Sequence, residues 1–586
     1  MRKYYPLDGQ MAEIKAAKLC LKICIVVSGA AMLMFFPGGF EYDTVCMTIC
    51  SVMMLVNYMV YKASYKEEVR LLSQLEYFLG ELRYQYSYCE QIDEALEECV
   101  FRQQGMMAQH GSILLEKLAH PGEENRKFSN RFLSLLYILC KSIYSYGDSR
   151  MDGESVCLLG IGLIKENVEQ EILLLKKREH VFCGLLVICM VPVFFVKVIE
   201  MWAVTNMREL DYYYEGSYGL ITTIVLCIST VLCFGLVRRM QYEMEPGTGS
   251  GVWLDKVSEM PIVKKVTAWH LNLNYEKSLL KHRRLKECSV KADAAQFIVL
   301  QYVTAFCAGV FVYAGLFSLY YAGRNQIVLR TEKMFQEIYQ LQDEQQEAVR
   351  QQLQLVITGQ KEDDTLEEVM AGCPDQVAET VRKTVTQSAA EWQNWSLPWF
   401  VWFLPAPVMF AAYHLRYKLI TLKRYFTGMR CQEEIIGFQM IILFLRNLKS
   451  MCAEEILCWL EDYAFYFRET VGRMLYVLEY QDYEYARELL EKEKYLPLKR
   501  ILEGIHSCDR LKLQEAFGQM EADYHYVVRK YEQDCCKNIV DQGAVGRLIA
   551  FIPLYLTIGL KLIVPFVLEG ISKLSAYAEN MKQFMS

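Results

Sequence analysis

The sequence lacks the residue pairings that metal and redox chemistry require. Its 21 cysteines include no C-x-x-C pair and no zinc-type spacing. Many of them (Cys20, Cys24, Cys46, Cys50, Cys183, Cys189, Cys227, Cys233 and Cys307) lie in apolar runs, where cysteine acts as a small hydrophobe. Cys535 and Cys536 are adjacent on a predicted helix, which turns their side chains apart. The eight histidines are scattered, with no i, i+4 pair. An H-E-x-x-H helix, a G-x-x-x-x-G-K-[ST] loop and a strand-to-helix G-x-S-x-G elbow are all missing. "PGTGSG" (Pro246–Gly251) has neither the lysine nor the adjoining strand of a phosphate loop and reads as a linker. The acidic runs "DEALEE" and "KEDDTLEE" lack the glycine turn of a calcium loop and read as solvated helix faces. No catalytic constellation, cofactor or metal is expected. Positive charge is not in excess either. With 63 Lys and Arg against 70 Asp and Glu, the net charge is −7, which offers no global field for nucleic acid.

What the sequence has is long apolar runs. Of 586 residues, 53% are apolar and 23% charged, a mixture that fits membrane spans alternating with soluble pieces. A bilayer core needs about 17–25 apolar helical residues. Stretches near 19–36, 44–61, 181–203, 217–237, 296–322, 396–415 and 547–568 meet that scale. The first follows a basic start, Arg2, Lys3 and Lys18. Its length and the missing A-x-A-like site read as a retained anchor rather than a signal peptide. The 44–61 and 396–415 runs are interrupted, by Asn57 and by Pro398, Pro405 and Pro407. Lys and Arg crowd the stretches after 237 and 415, while the 37–43 turn has none, so the N-terminus is expected in the cytoplasm and the C-terminus outside.

Two polar blocks remain, 63–180 and 416–546. Apolar residues recur in them at helical spacing, as at Leu71, Leu72, Leu75, Phe78, Leu79 and Leu82, and each reads as a small helical bundle. The blocks resemble each other in order. "YFLGEL" (Tyr77–Leu82) echoes "LFLRNL" (Leu443–Leu448), and "IDEALEE" (Ile92–Glu98) echoes "ILCWLED" (Ile456–Asp462). "YGDSRM", with Asp148 and Arg150, echoes "SCDRLK", with Asp509 and Arg510. A charged helix follows each Asp and runs into a span with a proline, Pro192 or Pro553, and the two intervals are equal (192 − 148 and 553 − 509). Both aspartates read as helix N-caps or partner contacts. Lys197 and Lys561 lie beyond the prolines and read as snorkelling side chains, with an ion path as the sharper alternative.

The expected fold is therefore all-α, a polytopic membrane protein of about seven transmembrane helices with two cytoplasmic bundles related by an internal repeat. The expected order is a membrane hairpin (1–62), bundle 1 (63–180), a membrane hairpin (181–238) and a basic cytoplasmic linker (239–295). A span (296–322), an outer acidic, Gln-rich helical insertion (323–395) and a further span (396–415) come next. Bundle 2 (416–546), a last span (547–568) and a short outer tail (569–586) complete it.

This order resembles the type II secretion F-domain family, the platform proteins of type II secretion, type IV pili and Tad/Flp pili. In the first copy the resemblance is carried by "FLGELRYQYSYCEQIDEALEE", "YGDSRMDGES" and "IKENVEQEILLLKKRE". In the second it is carried by "LPLKRILEGIHSCDRLKLQEAFGQMEADYHYVVRKYEQD" and "IPLYLTIGLKLIVP". The chain looks like a fusion of two Tad-type platform subunits. It departs from the family pattern in the 323–395 insertion and in having one span after the second bundle. The resemblance implies a non-enzymatic scaffold in the bacterial cytoplasmic membrane. Its implied partners are a cytoplasmic hexameric secretion ATPase, pilin or pseudopilin subunits, membrane lipid and further copies of itself, with no nucleic acid. A transporter or channel built from two repeated halves, and a sensor using 323–395, are the rival readings.

Overall fold

The structure, a computed structural model, describes residues 4–38, 42–120, 128, 130–151, 154–215, 217–241, 260–273, 294–339, 375–396, 399–448, 451–480, 483–493, 495–508, 511–571 and 573–574. The first half contains α1 (Gly9–Gly38), α2 (Tyr42–Cys89), α3 (Ile92–Arg102), α4 (Met106–Ala119) and α5 (Arg131–Tyr146). A short antiparallel pairing of β1 (Arg150–Met151) with β2 (Glu154–Ser155) leads into α6 (Val156–Asn206). Then come α7 (Asp211–Glu215), α8 (Ser217–Gln241), α9 (Pro261–Leu273), α10 (Ala294–Tyr339) and α11 (Asp375–Asn394). The second half contains α12 (Pro405–Leu445), α13 (Ala453–Tyr463), α14 (Arg468–Glu479), α15 (Tyr483–Lys492), α16 (Leu496–Ser507), α17 (Leu513–Ala516) and α18 (Met520–Ile558). A π turn, Gly559–Ile563, continues α18.

Among the described residues, six helices are long and apolar enough to cross a membrane: Gly9–Phe36, Asp43–Cys89, Val156–Asn206, Tyr218–Gln241, Gln296–Phe317 and Met520–Ile571. The interrupted 44–61 run is therefore part of such a helix. The 396–415 run is not. It yields a shorter apolar helix, Val401–Leu415. The 3₁₀ turn Trp399–Phe403 precedes it, and α12 starts at Pro405, where a missing N–H interrupts no helical bond. α10 runs on as one helix to Tyr339, into the expected insertion, and residues 340–374 of that insertion lie outside the described residues. Most of the expected basic linker lies outside them too.

The short helices form because their apolar residues fall on one face. In α3 the buried residues are Ile92, Ala95, Leu96 and Cys99; in α16 they are Leu498, Ile501, Leu502 and Ile505, the same i, i+3, i+4, i+7 stripe. The Asn130 side chain accepts the Phe132 amide at the start of α5 (2.9 Å), and Gly147 ends that helix at a φ of 74°, which a side chain would disfavour. The helix order repeats between the halves. A long entry helix (α2, α12) leads to short helices and then to a long exit helix (α6, α18), with α15 and the one-turn α17 as additions in the second half.

The two blocks share one hydrophobic core, in which Phe78, Leu136 and Ile161 from the first cluster with Phe438, Phe444 and Leu502 from the second. Polar contacts tie them across it: Tyr146 Oη donates to Glu455 (3.0 Å), Ser149 Oγ to the Asn447 carbonyl (2.7 Å), and Asn167 Nδ2 to Tyr524 Oη (2.6 Å). Arg131 reaches Glu433, and also Glu171 at 2.7 Å. Burial alone would raise the Glu433 carboxyl, but the guanidinium groups of Arg131 and Arg430 outweigh it and hold the carboxyl at about 2. Glu434 turns the other way and accepts the backbone N–H groups of Phe465, Tyr466 and Phe467 (2.8, 2.8 and 3.2 Å). Burial pushes its carboxyl up to about 7, against the lowering effect of those three amides.

A second core lies in the apolar parts of the long helices. Met34 of α1, Met47 and Met54 of α2, Phe182 and Val193 of α6, Leu226 and Phe234 of α8, and Ala550 of α18 cluster there. α6 and α18 therefore belong to both cores. Each passes from the soluble block into the apolar bundle without a break, carrying Pro192 and Pro553 inside it.

Candidate functional site

The feature that stands apart from hydrophobic packing is a chain of four charges in the apolar bundle. Lys561, on the π turn, is fully buried. Its ammonium donates to Glu200 Oε1 of α6 (2.5 Å), to the Gly219 carbonyl of α8 (3.1 Å) and to Thr223 Oγ1 (2.9 Å). Three N–H donors thus meet three acceptors. The other oxygen of Glu200, a residue only 6% exposed, lies 3.1 Å from Lys197, one turn earlier on α6. Lys197 also lies 2.5 Å from Asp43, in the first turn of α2. The signs alternate, so each acid has a base on it, and the four groups sum to zero. An unpaired charge at this depth would cost several kcal/mol, roughly 3–5 on breaking such a pair.

The backbone is shaped around this cluster. An α-helix uses its carbonyls internally, whereas a π turn alters that pattern locally. Here the Tyr218 hydroxyl donates to the Leu560 carbonyl and the Tyr214 hydroxyl to the Lys561 carbonyl, both at 2.5 Å. The Tyr214 ring centroid also lies 5.9 Å from the Lys561 ammonium. α7 and α8 come close to allow this. A Cβ on Gly219 would fall 1.9 Å from the Tyr214 carbonyl oxygen, so that position requires glycine.

The full burial of Lys561 against Glu200 corrects the snorkelling expectation for that residue. A carboxylate on the neighbouring helix, at the same level, removes the need for its ammonium to reach water. Glu200, which pairs with both lysines, is not among the residues singled out from the sequence.

The remaining landmarks sit elsewhere. Asp148 is not the N-cap of α6. Ser155 holds that position and accepts the Leu158 amide at 3.2 Å, because the β1–β2 turn separates Asp148 from the helix. Asp148 instead folds back over the turn. It accepts the Tyr86 hydroxyl (3.1 Å), the Ser155 hydroxyl, the Ser149 amide (2.9 Å) and the Cys157 amide (3.2 Å). Arg150 pairs with Glu90 at 3.3 Å, with both side chains largely exposed, a contact of little energetic weight. Asp509 and Arg510 lie outside the described residues. Pro192 and Pro553 are both buried where α6 and α18 pass each other, and Thr557 Oγ1 donates to the Pro553 carbonyl (2.8 Å). Among the described residues no group of three or more His, Cys, Asp or Glu is placed to hold a metal ion.

No protein-family model matches the chain, and neither a curated protein nor a solved structure is similar to it.

Proposed function

We propose that the chain is a non-enzymatic platform of the type II secretion and type IV or Tad/Flp pilus class, seated in a bacterial cytoplasmic membrane. It couples a cytoplasmic hexameric ATPase to the extraction and stacking of pilin-like subunits. The observation that carries this reading is the continuity of α6 and α18, each one helix from the soluble core into the apolar bundle. A displacement of the soluble blocks reaches the membrane through such helices without a loop to absorb it. The prolines add a compliant point, since each leaves one carbonyl in the preceding turn without its helical partner. In this reading the N-terminus is cytoplasmic and the chain works as a homo-oligomer. The test is co-purification from membranes, in mild detergent, with the neighbouring secretion ATPase and prepilin-like proteins, together with deletion of the gene. Filaments or secretion that survive deletion sink the proposal.

A transporter built from two halves is the second reading, because Glu200 and Lys561 give it the paired intramembrane charges it needs. Against it stands the saturation of Lys561, whose three donors are all engaged by protein groups. Substrate-dependent thermal stabilisation, abolished in Lys561→Met, would favour it over the platform.

A further inference from the structure

α6 and α18 run parallel, and their contacts stay within one helical turn of a common offset. Asn167 meets Tyr524 near the soluble end. Deeper, a Cβ on Gly543 would fall 2.5 Å from Val181 Cγ1, and one on Gly546 would fall 3.1 Å from Leu185 Cδ1 and 3.5 Å from Phe182 Cε1. At the far end Glu200 meets Lys561. Glu200 and Lys561 are 361 residues apart. That is also the separation of the repeat landmarks Asp148 and Asp509 (509 − 148) and of Pro192 and Pro553 (553 − 192). Leu185 and Gly546 share it (546 − 185). The seam therefore brings equivalent positions of the two repeats face to face, around a local two-fold axis running between the helices.

Identical helices around such an axis would place identical residues opposite each other. This seam does the reverse. The first repeat supplies bulk at Phe182 and Leu185 where the second supplies Gly543 and Gly546, and it supplies an acid at 200 where the second supplies a base at 561. Two copies of α6 would oppose Glu200 to Glu200 and crowd the phenylalanines. Two copies of α18 would oppose Lys561 to Lys561 across a gap. Buried like charges are the more costly of these faults.

We propose that Glu200, Lys561, Gly543 and Gly546 are specificity residues that make each first repeat accept a second repeat and refuse another first. The chain is then a joined heterodimer whose membrane seam closes on itself. Specificity is a difference between two affinities, and here the like pairings carry the penalty. The inference rests on the repeat and the seam and holds whether or not the platform reading does.

The test uses full-length chains with two different affinity tags, co-expressed in membranes. Glu200→Lys and Lys561→Glu each place like charges across their own seam. Together the two variants offer each other two complementary seams. One pairs the two substituted positions, and the other pairs the native Glu200 of one chain with the native Lys561 of the other. The expected result is that Glu200→Lys captures Lys561→Glu at least about tenfold more than it captures itself, the discrimination that 1.4 kcal/mol supplies. The double variant Glu200→Lys/Lys561→Glu, in one chain, should recover part of the thermal midpoint that either single loses, with Lys197 beside position 200 and the Gly219 carbonyl beside position 561 opposing the rest. Equal capture of like and unlike variants overturns the proposal. If the single variants are not recovered from membranes, the double variant decides: a midpoint no higher than theirs, or no recovery, also overturns it.

Discussion

At the soluble end the two halves of the chain meet across Arg131 and Glu433; in the apolar bundle they meet across Glu200 and Lys561. Both contacts join an acid to a base between the same two repeats, yet their surroundings differ. The Arg131 side chain is 27% exposed, and Glu433 also receives Arg430 and the Tyr531 hydroxyl. Lys561 is wholly enclosed, and among the described residues Glu200 pairs with the two ammonium groups of Lys197 and Lys561. In the soluble joint a large apolar core holds the blocks together and charge trims the fit. In the seam Val181, Phe182 and Leu185 pack against Gly543 and Gly546, and the enclosed Glu200–Lys561 pair is added at the far end.

The largest expected effect breaks the seam. Glu200→Ala leaves Lys561 buried without its carboxylate and should cost roughly 3–5 kcal/mol, read as a fall in thermal midpoint of the detergent-solubilised protein. Next comes the pH response of the soluble joint. Glu434 titrates at about 7 in the folded chain against 4.5 ordinarily, so the folded state binds the extra proton between those values. Stability should therefore fall as pH rises from about 4.5 to about 7, by on the order of 3 kcal/mol. In Glu434→Gln this contribution should be lost, read as the difference from the unsubstituted chain in unfolding curves at pH 5 and pH 8. Glu433, held at about 2, acts in a separate window: it stabilises above the ordinary carboxylate range and loses that contribution as pH falls towards 2.

Arg131→Ala should cost less, about 1–2 kcal/mol, because Arg430 stays on Glu433 and the site is partly solvated. This is the direct comparison with Glu200→Ala. Equal losses in the two variants would mean that the seam charge carries no special weight. The smallest effect sharpens the picture. Tyr218→Phe removes one hydroxyl from the π turn and should cost about 1 kcal/mol, measured by the same melting curves.

Long apolar runs and the helical stripes of the blocks were legible in the sequence because each depends on neighbours a few residues apart. At 396–415 hydropathy averages over prolines, and α12 starts only at Pro405. The merger of the two blocks into one core was invisible for a different reason: apolar stripes say that a face is covered and not by what. The charges failed in the same way. A lysine in a span invites a path to water when its partner lies 361 residues off. Yet the signal was present, since the offset that aligns the aspartates and the prolines also places an acid over a base.

The π turn at Gly559–Ile563 has a bearing on how the two halves can be compared. It winds one additional residue into the helix, and one residue of an α-helix is about 100° of rotation. Up to Thr557 the two exit helices keep step. Past Ile563 the second helix turns a different side toward its counterpart. Superposition of the halves residue by residue must therefore slip by one position inside an unbroken helix, with no loop to mark where the phase was lost.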